Sequence, residues 1–318
     1  MWLGLASIMY DPTKPYKKEI IDLIKKTWNT PYVSIKEGTY PVIEKKFSFL
    51  EVDHTDGIGT KGIYHWNKRT FRNAVIDALA MNLNDLAMMR AVPYKLQNHI
   101  IIPKDDHEAI LEIVSTLVDE CLLRDIAITG GETSVQNNIN GMDISLTASG
   151  FLRNEIQNIF EAGNILVGLK SNGLHSNGFT KVREIFGEGF KIYFVEPTAI
   201  YSDKILKLDN KFKIHGMQHI TGGAFTKFKD SLKAVDLIIR RDHKLKPQKI
   251  FSEVYEKGVS DEEMYKTFNC GIGFVLSVAK EYSEDVAKEL SGEIIGEVTF
   301  GNGKVKIESM FSNKVVEF

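Results

Sequence analysis

Thr55-Asp56-Gly57-Ile58-Gly59-Thr60-Lys61-Gly62 follows closely on residues 48–53, a run that reads as a β-strand. Gly57, Gly59 and Gly62 match the spacing of a dinucleotide-binding turn, and Asp77 lies where a ribose-binding acid would sit. That reading requires the turn to open into a helix. Tyr64-His65-Trp66-Asn67 reads as a continued strand or loop, and Asp77 falls inside a helical pattern, so the dinucleotide reading is rejected. A Walker loop is excluded as well, because Gly62 follows Lys61 and the preceding spacing is wrong. What remains is a carboxylate, Asp56, beside a flexible turn with a lysine. Asp56 offers oxygen to a hard cation, Gly57 and Gly59 let phosphate approach the backbone, and Lys61 adds positive charge. The competing reading is ordinary hairpin punctuation.

Outward from this turn, helical periodicity places Ile20, Ile24 and Trp28 on one face, and Val75, Leu79, Leu83 and Leu86 on another. The clearest helix is residues 106–121, with an apolar stripe and a capping-box spacing between Asp105 and Glu108. Strands are expected at 126–129, 142–151, 165–169, 235–240, 271–278 and 293–300. Strands mixed with helices predict an α/β or α+β architecture in packed layers. The polar stretch 153–164 is the best boundary, which divides the chain into 1–155 and 156–318.

At 318 residues, two domains are the better prior. The 40 Lys+Arg nearly balance 42 Asp+Glu, for a net charge of -2, so no basic surface points to nucleic acid and any anionic partner needs a local site. Two cysteines, Cys121 and Cys270, give no disulfide framework and suit a reducing cytoplasm; both read as core residues. Residues 1–9 form a short apolar run with no basic leader, and nowhere do about 20 uninterrupted apolar residues occur, so neither a signal peptide nor a membrane span is expected.

Further polar groups lie in similar settings. Asn84-Asp85 interrupts an apolar helix, Glu132 in Gly130-Gly131-Glu132-Thr133 follows a short strand, and Asp143 lies at the start of another. Together with Asp56, the acids Asp85, Glu132 and Asp143 could converge on Mg²⁺, which takes a few carboxylates and phosphate oxygens; unrelated caps and turn residues are the alternative. In the second half, Ser171-Asn172-Gly173-Leu174-His175-Ser176-Asn177-Gly178 and His219-Ile220-Thr221-Gly222-Gly223-Ala224 are glycine-rich loops before helical patterns, a setting that favours anions.

These segments resemble the AIR synthetases, the phosphoribosylformylglycinamidine cyclo-ligases. The resemblance runs through residues 55–61, 80–86 and 130–133 and then through Gly173-Leu174-His175-Ser176-Asn177-Gly178-Phe179, Glu196-Pro197-Thr198-Ala199-Ile200-Tyr201, 219–223 and 263–273. It implies two domains, with the N-terminal ones of two chains pairing into a β-barrel at a homodimer interface. It also implies ATP- and Mg²⁺-dependent ring closure of formylglycinamidine ribonucleotide to aminoimidazole ribonucleotide through a phosphorylated imidate, in cytoplasmic purine synthesis. On that basis His175, His219 and Asp85 are the catalytic candidates, and Asp56, Gly57, Gly59, Lys61 and Asn84 the nucleotide-binding ones. Asn177, Thr221, Gly222 and Gly223 are expected at the substrate, and Asp56, Asp85, Glu132 and Asp143 at the metal. There are departures. Residues 39–51 contain no glycine where the family carries a glycine-rich ATP loop, leaving Lys45 and Lys46 as electrostatic substitutes, and Arg90-Ala91 stands where Gly-Ala is usual. The alternatives are a relative that phosphorylates another acceptor, or a nucleotide-binding subunit that has lost catalysis.

Overall fold

The computed structural model describes residues 16–208 and 211–318; the apolar run at 1–9 lies outside them. Among the described residues no helix is long and apolar enough to cross a membrane. The first half contains α1 (Lys17–Lys25), β1 (Val33–Lys36), β2 (Val42–Lys45), β3 (Leu50–Gly57), α2 (Gly62–Lys68), α3 (Phe71–Met88), β4 (Ala91–Ile102), α4 (His107–Leu123), β5 (Ala127–Val135) and β6 (Asp143–Leu152). The second contains β7 (Ile165–Lys170), α5 (Phe179–Phe186), α6 (Ser202–Leu208), β8 (Ile214–His219), β9 (Val235–Ile239), α7 (Lys249–Glu256), α8 (Asp261–Thr267), β10 (Ile272–Val278), α9 (Ser283–Leu290), β11 (Glu293–Phe300), β12 (Val305–Glu308) and β13 (Val315–Glu317).

In the first half, β3-β6-β4-β5 form one sheet, antiparallel except for the β4–β5 pair. Period-2 alternation sends Leu96, Ile100, Ile144, Leu146 and Ala148 to one face, where they form a core with the apolar sides of α3 and α4. On the other face Thr55, Gln97, His99 and Glu132 are exposed. The hairpin β1–β2 covers one end, where Phe47 packs on Tyr94 and Phe151. The expected cap of α4 moves by one residue. Asp106 accepts from the Ala109 N–H at 3.1 Å, while Asp105 takes the Tyr16 hydroxyl at 2.7 Å.

The second half is built on a seven-stranded sheet, β13-β12-β9-β11-β7-β10-β8, whose central strands β7 and β10 are buried on both sides. Leu166 and Val275 face a core with Phe225, Phe228 and Phe251, whereas Val167, Leu276 and Phe274 face α6 and α9. Every residue of β10 is buried, as a strand sandwiched between two layers requires.

Three expectations change here. Tyr64 to Asn67 belong to α2, so the turn does open into a helix. The dinucleotide fold is excluded instead by the largely antiparallel sheet and by the burial of Asp77 in an ion pair. The strand expected at 126–129 continues through Gly130, Gly131 and Glu132, which are therefore ladder residues rather than a turn.

The halves are joined by buried polar groups. Helix α3 is buried on almost every side, so Asp77, Asn82 and Asn84 must find partners. Arg90 occupies the left-handed region, φ 56°, where a glycine would be unstrained; its guanidinium donates to the Ile214 and His215 carbonyls and so grips β8.

Candidate active site

A cleft of about 380 Å³ opens where the end of β3 meets the loops before α5 and after β8. One wall carries Asp56, Gly57, Gly59 and Asp143, and the other carries Asn177, Thr221, Gly222 and Lys227. The local folding follows from the glycines. Gly59 turns the chain at φ 52°, and Gly62 passes so close to β6 that a Cβ would lie 1.8 Å from the Met142 carbonyl oxygen. Asp56 accepts from the Gly57 N–H at 2.7 Å. Burial pushes the Asp143 carboxyl upward, and its Oδ1 has no hydrogen-bond partner; the Asn177 Nδ2 across the cleft is likewise buried and unpartnered. Two carboxylates on one wall suit a hard divalent cation, and the amide and ammonium on the other suit phosphate oxygens.

Beside the cleft, one helical turn along α3 from cleft-lining Met81, Asp85 is held by two histidines. His219 Nδ1 lies 2.7 Å from Asp85 Oδ1, and His54 Nε2 lies 3.2 Å from Oδ2. The protonation states follow from the amides around them. Asn84 Oδ1 must face the Tyr201 and Ser202 N–H groups, so its Nδ2 donates to the Ala199 carbonyl and to His219 Nε2. His219 is then the Nδ1–H tautomer, donating to Asp85. Asn82 Nδ2 donates to the Asp56 and Ala78 carbonyls, so its Oδ1 accepts from His54 Nδ1. Both nitrogens of His54 face acceptors, and its hydrogen bond to Asp85 raises the imidazole pKa. Burial alone would raise the Asp85 carboxyl, but hydrogen bonds from His219 and His54 outweigh it and hold the carboxyl well below the usual range.

Several expected site residues lie elsewhere. Lys61 is fully buried, 2.9 Å from Asp77 Oδ1, and also donates to the Glu196 carbonyl, so it is a lock between the halves and not a phosphate ligand. Asn84 spends both ends of its amide on protein groups and leaves nothing for a nucleotide. The four acids do not gather. Glu132 is exposed on β5, three strands from Asp56, and Asp85 is taken up by histidines; among the described residues no three His, Cys, Asp or Glu side chains are placed to hold a metal. Neither His175 nor His219 lines the cleft. His175 is buried, accepts from the Asn172 N–H at 3.1 Å and is driven down to about 3, by burial above all. Gly223 adjoins the cleft without lining it. Lys45 pairs with Glu51, and Lys46 donates to Asn29 and to the Thr30 carbonyl, so neither replaces the missing loop. Both cysteines are buried, and burial raises their thiols.

Two residues escaped sequence reasoning. His54 carried a signal, since period-2 alternation puts it on the same side of β3 as Asp56; Lys227, in an irregular helical turn, carried none.

Residues 50–152 match the AIR synthase related protein N-terminal domain, and residues 161–308 match the C-terminal domain of the same family. A phosphoribosylformylglycinamidine cyclo-ligase of Saccharolobus solfataricus is 33% identical over 310 residues, covering 94% of each chain. The chain belongs to the phosphoribosylformylglycinamidine cyclo-ligase family. A second member, from Pyrococcus horikoshii, is 31% identical over 306 residues and 90% of each chain. These relatives are ligases, and the chain is an enzyme of that class. The hydrogenase maturation protein HypE, solved in complex with ATP, superposes with a TM-score of 0.66 over 94% of this chain and 92% of its own; at 16% identity the likeness is one of fold.

Proposed function

We propose that the chain closes the imidazole ring of aminoimidazole ribonucleotide, consuming formylglycinamidine ribonucleotide and ATP in purine synthesis. The observation that carries this reading is the cleft at which residues of both family domains meet, with carboxylates on one wall and amide and ammonium donors on the other. Residues 1–155 are taken as the nucleotide-binding and dimer-forming unit and 156–318 as the second unit, working in the cytoplasm.

An amide oxygen is a poor leaving group. Transfer of the γ-phosphoryl group to the formyl oxygen makes an imidate phosphate, the amidine nitrogen attacks that carbon, and the oxygen departs with phosphate. Mg²⁺, when bound, offsets charge on the phosphates, and Asp56 and Asp143 are the residues to hold it. Gly57 and Gly59 let the triphosphate approach the backbone, while Asn177, Thr221 and Gly222 face the acceptor. Asp85 acts beside this cleft as a carboxylate fixed by His54 and His219, and we assign His219 and His175 to positioning rather than to contact with the reacting atoms.

Incubating the purified chain with formylglycinamidine ribonucleotide, ATP and Mg²⁺ tests the proposal. Aminoimidazole ribonucleotide and ADP in equal amounts are expected. ADP without ring closure, or no turnover by folded protein, would contradict it.

A further inference from the structure

The glycine-rich turn had offered Lys61 as the phosphate lysine, yet Lys61 is sealed in an ion pair with Asp77. Among the described residues lining the cleft, the one formal cation is Lys227. It lies in the 3₁₀ segment Ala224–Ser231, which follows directly on Gly222 and Gly223. Its Nζ donates to Thr221 Oγ1 at 2.6 Å, and it has no carboxylate within ion-pair distance among the described residues. The hydroxyl fixes the ammonium and leaves its charge unneutralised. Nearby, Gly222 is exposed, and a Cβ there would meet only the Asn177 amide oxygen, at 3.5 Å. The same amide presents its Nδ2 buried and without a partner. The cleft is therefore polar across its width: Asp56 and Asp143 repel an anion from one wall, and Lys227 with Asn177 attracts it to the other.

We infer that Lys227 is a specificity-determining residue of this cleft that ion-pairs with a phosphate group of the substrate, with Asn177 Nδ2 donating to the same group. The phosphate belongs either to the sugar phosphate of the acceptor or to the nucleotide. This rests on the proposed reaction only for the source of the phosphate. The electrostatic argument for the site is independent of the chemistry performed there.

Calorimetry on the full chain reads the site directly, with ribose 5-phosphate in one arm and a non-hydrolysable ATP analogue with Mg²⁺ in the other. Lys227→Met should weaken one of these probes about tenfold or more, the loss of one charge-assisted contact. Lys227→Arg should restore most of the affinity by retaining the charge, and Lys229→Met, at an exposed neighbour outside the cleft, should leave both affinities unchanged. A shift confined to ribose 5-phosphate assigns the site to the acceptor, and a shift confined to the analogue assigns it to the nucleotide. Wild-type protein that binds neither probe, or a folded Lys227→Met protein that binds both as tightly as wild type, overturns the inference. If the ring-closure assay fails while Lys227→Met still loses phosphate affinity, the reaction falls and the site stands.

Discussion

Asp77 accepts hydrogen bonds from Lys61, His65, Ser176 and Thr198 in a fully buried setting. Burial alone would raise its carboxyl, but Lys61 and His65 outweigh that effect and hold it well below the usual range. Removing one member of a buried pair strands the other charge, so Asp77→Ala should cost about 3–5 kcal/mol, read by urea unfolding. An unchanged midpoint would mean that Lys61 finds another partner. His175 supplies a pH-dependent term of the same sign, in a higher pH window. Its ordinary value of 6.5 falls to about 3 on folding. Between these values the unfolded chain binds a proton that the folded chain does not, so stability is lost as pH falls through that window, by up to about 1.4 kcal/mol per unit. The stability advantage of wild type over His175→Asn should therefore shrink from pH 7 to pH 4. A difference that does not vary with pH would contradict the neutral, buried imidazole.

At the scale of elements, the connection from β3 to α2 depends on the absence of a side chain at Gly62. Gly62→Ala must displace α2 or the start of β6, which should destabilise the fold by about 1–3 kcal/mol in thermal unfolding. A wild-type midpoint would show that α2 and β6 separate at no cost to the fold. The same region shows why part of the fold was legible and part was not. Strands β7, β10 and β11 read correctly because compact apolar runs are bounded by turn residues. Strand β4 escaped notice because Pro93 and inward-facing Asn98 break its alternation, and a register shift follows Pro93. Helix α2 was misread because its aromatic residues favour strands in isolation; its state is set by tertiary contacts, Tyr64 packing on Phe179 and Phe194 and His65 reaching Asp77. Of the residues that the glycine-rich motifs offered, Asp56, Gly57, Gly59, Asn177, Thr221 and Gly222 line the cleft. A motif gives residue type and spacing but not burial, so it could not separate the sealed Lys61 and Asn84 from the open Lys227.

For the molecule as a whole, the exposed sheet face carrying Thr55, Thr147, Gln97 and Glu132 is proposed as the homodimer surface, where a second sheet would complete a barrel. Sedimentation should give twice the chain mass of 35.9 kDa. Thr147→Lys, placing a charge in the middle of that face, should return the protein to a folded monomer; persistence of the dimer would place the interface elsewhere. Residues of both halves line one cleft around Asp56 and Asp143, which is proposed as the place of reaction. The most direct test is the turnover of Asp56→Asn, which removes charge but little volume. A fall in kcat of about 10²-fold or more is expected, with the melting temperature nearly unchanged, whereas near-wild-type turnover would show that the chemistry occurs elsewhere.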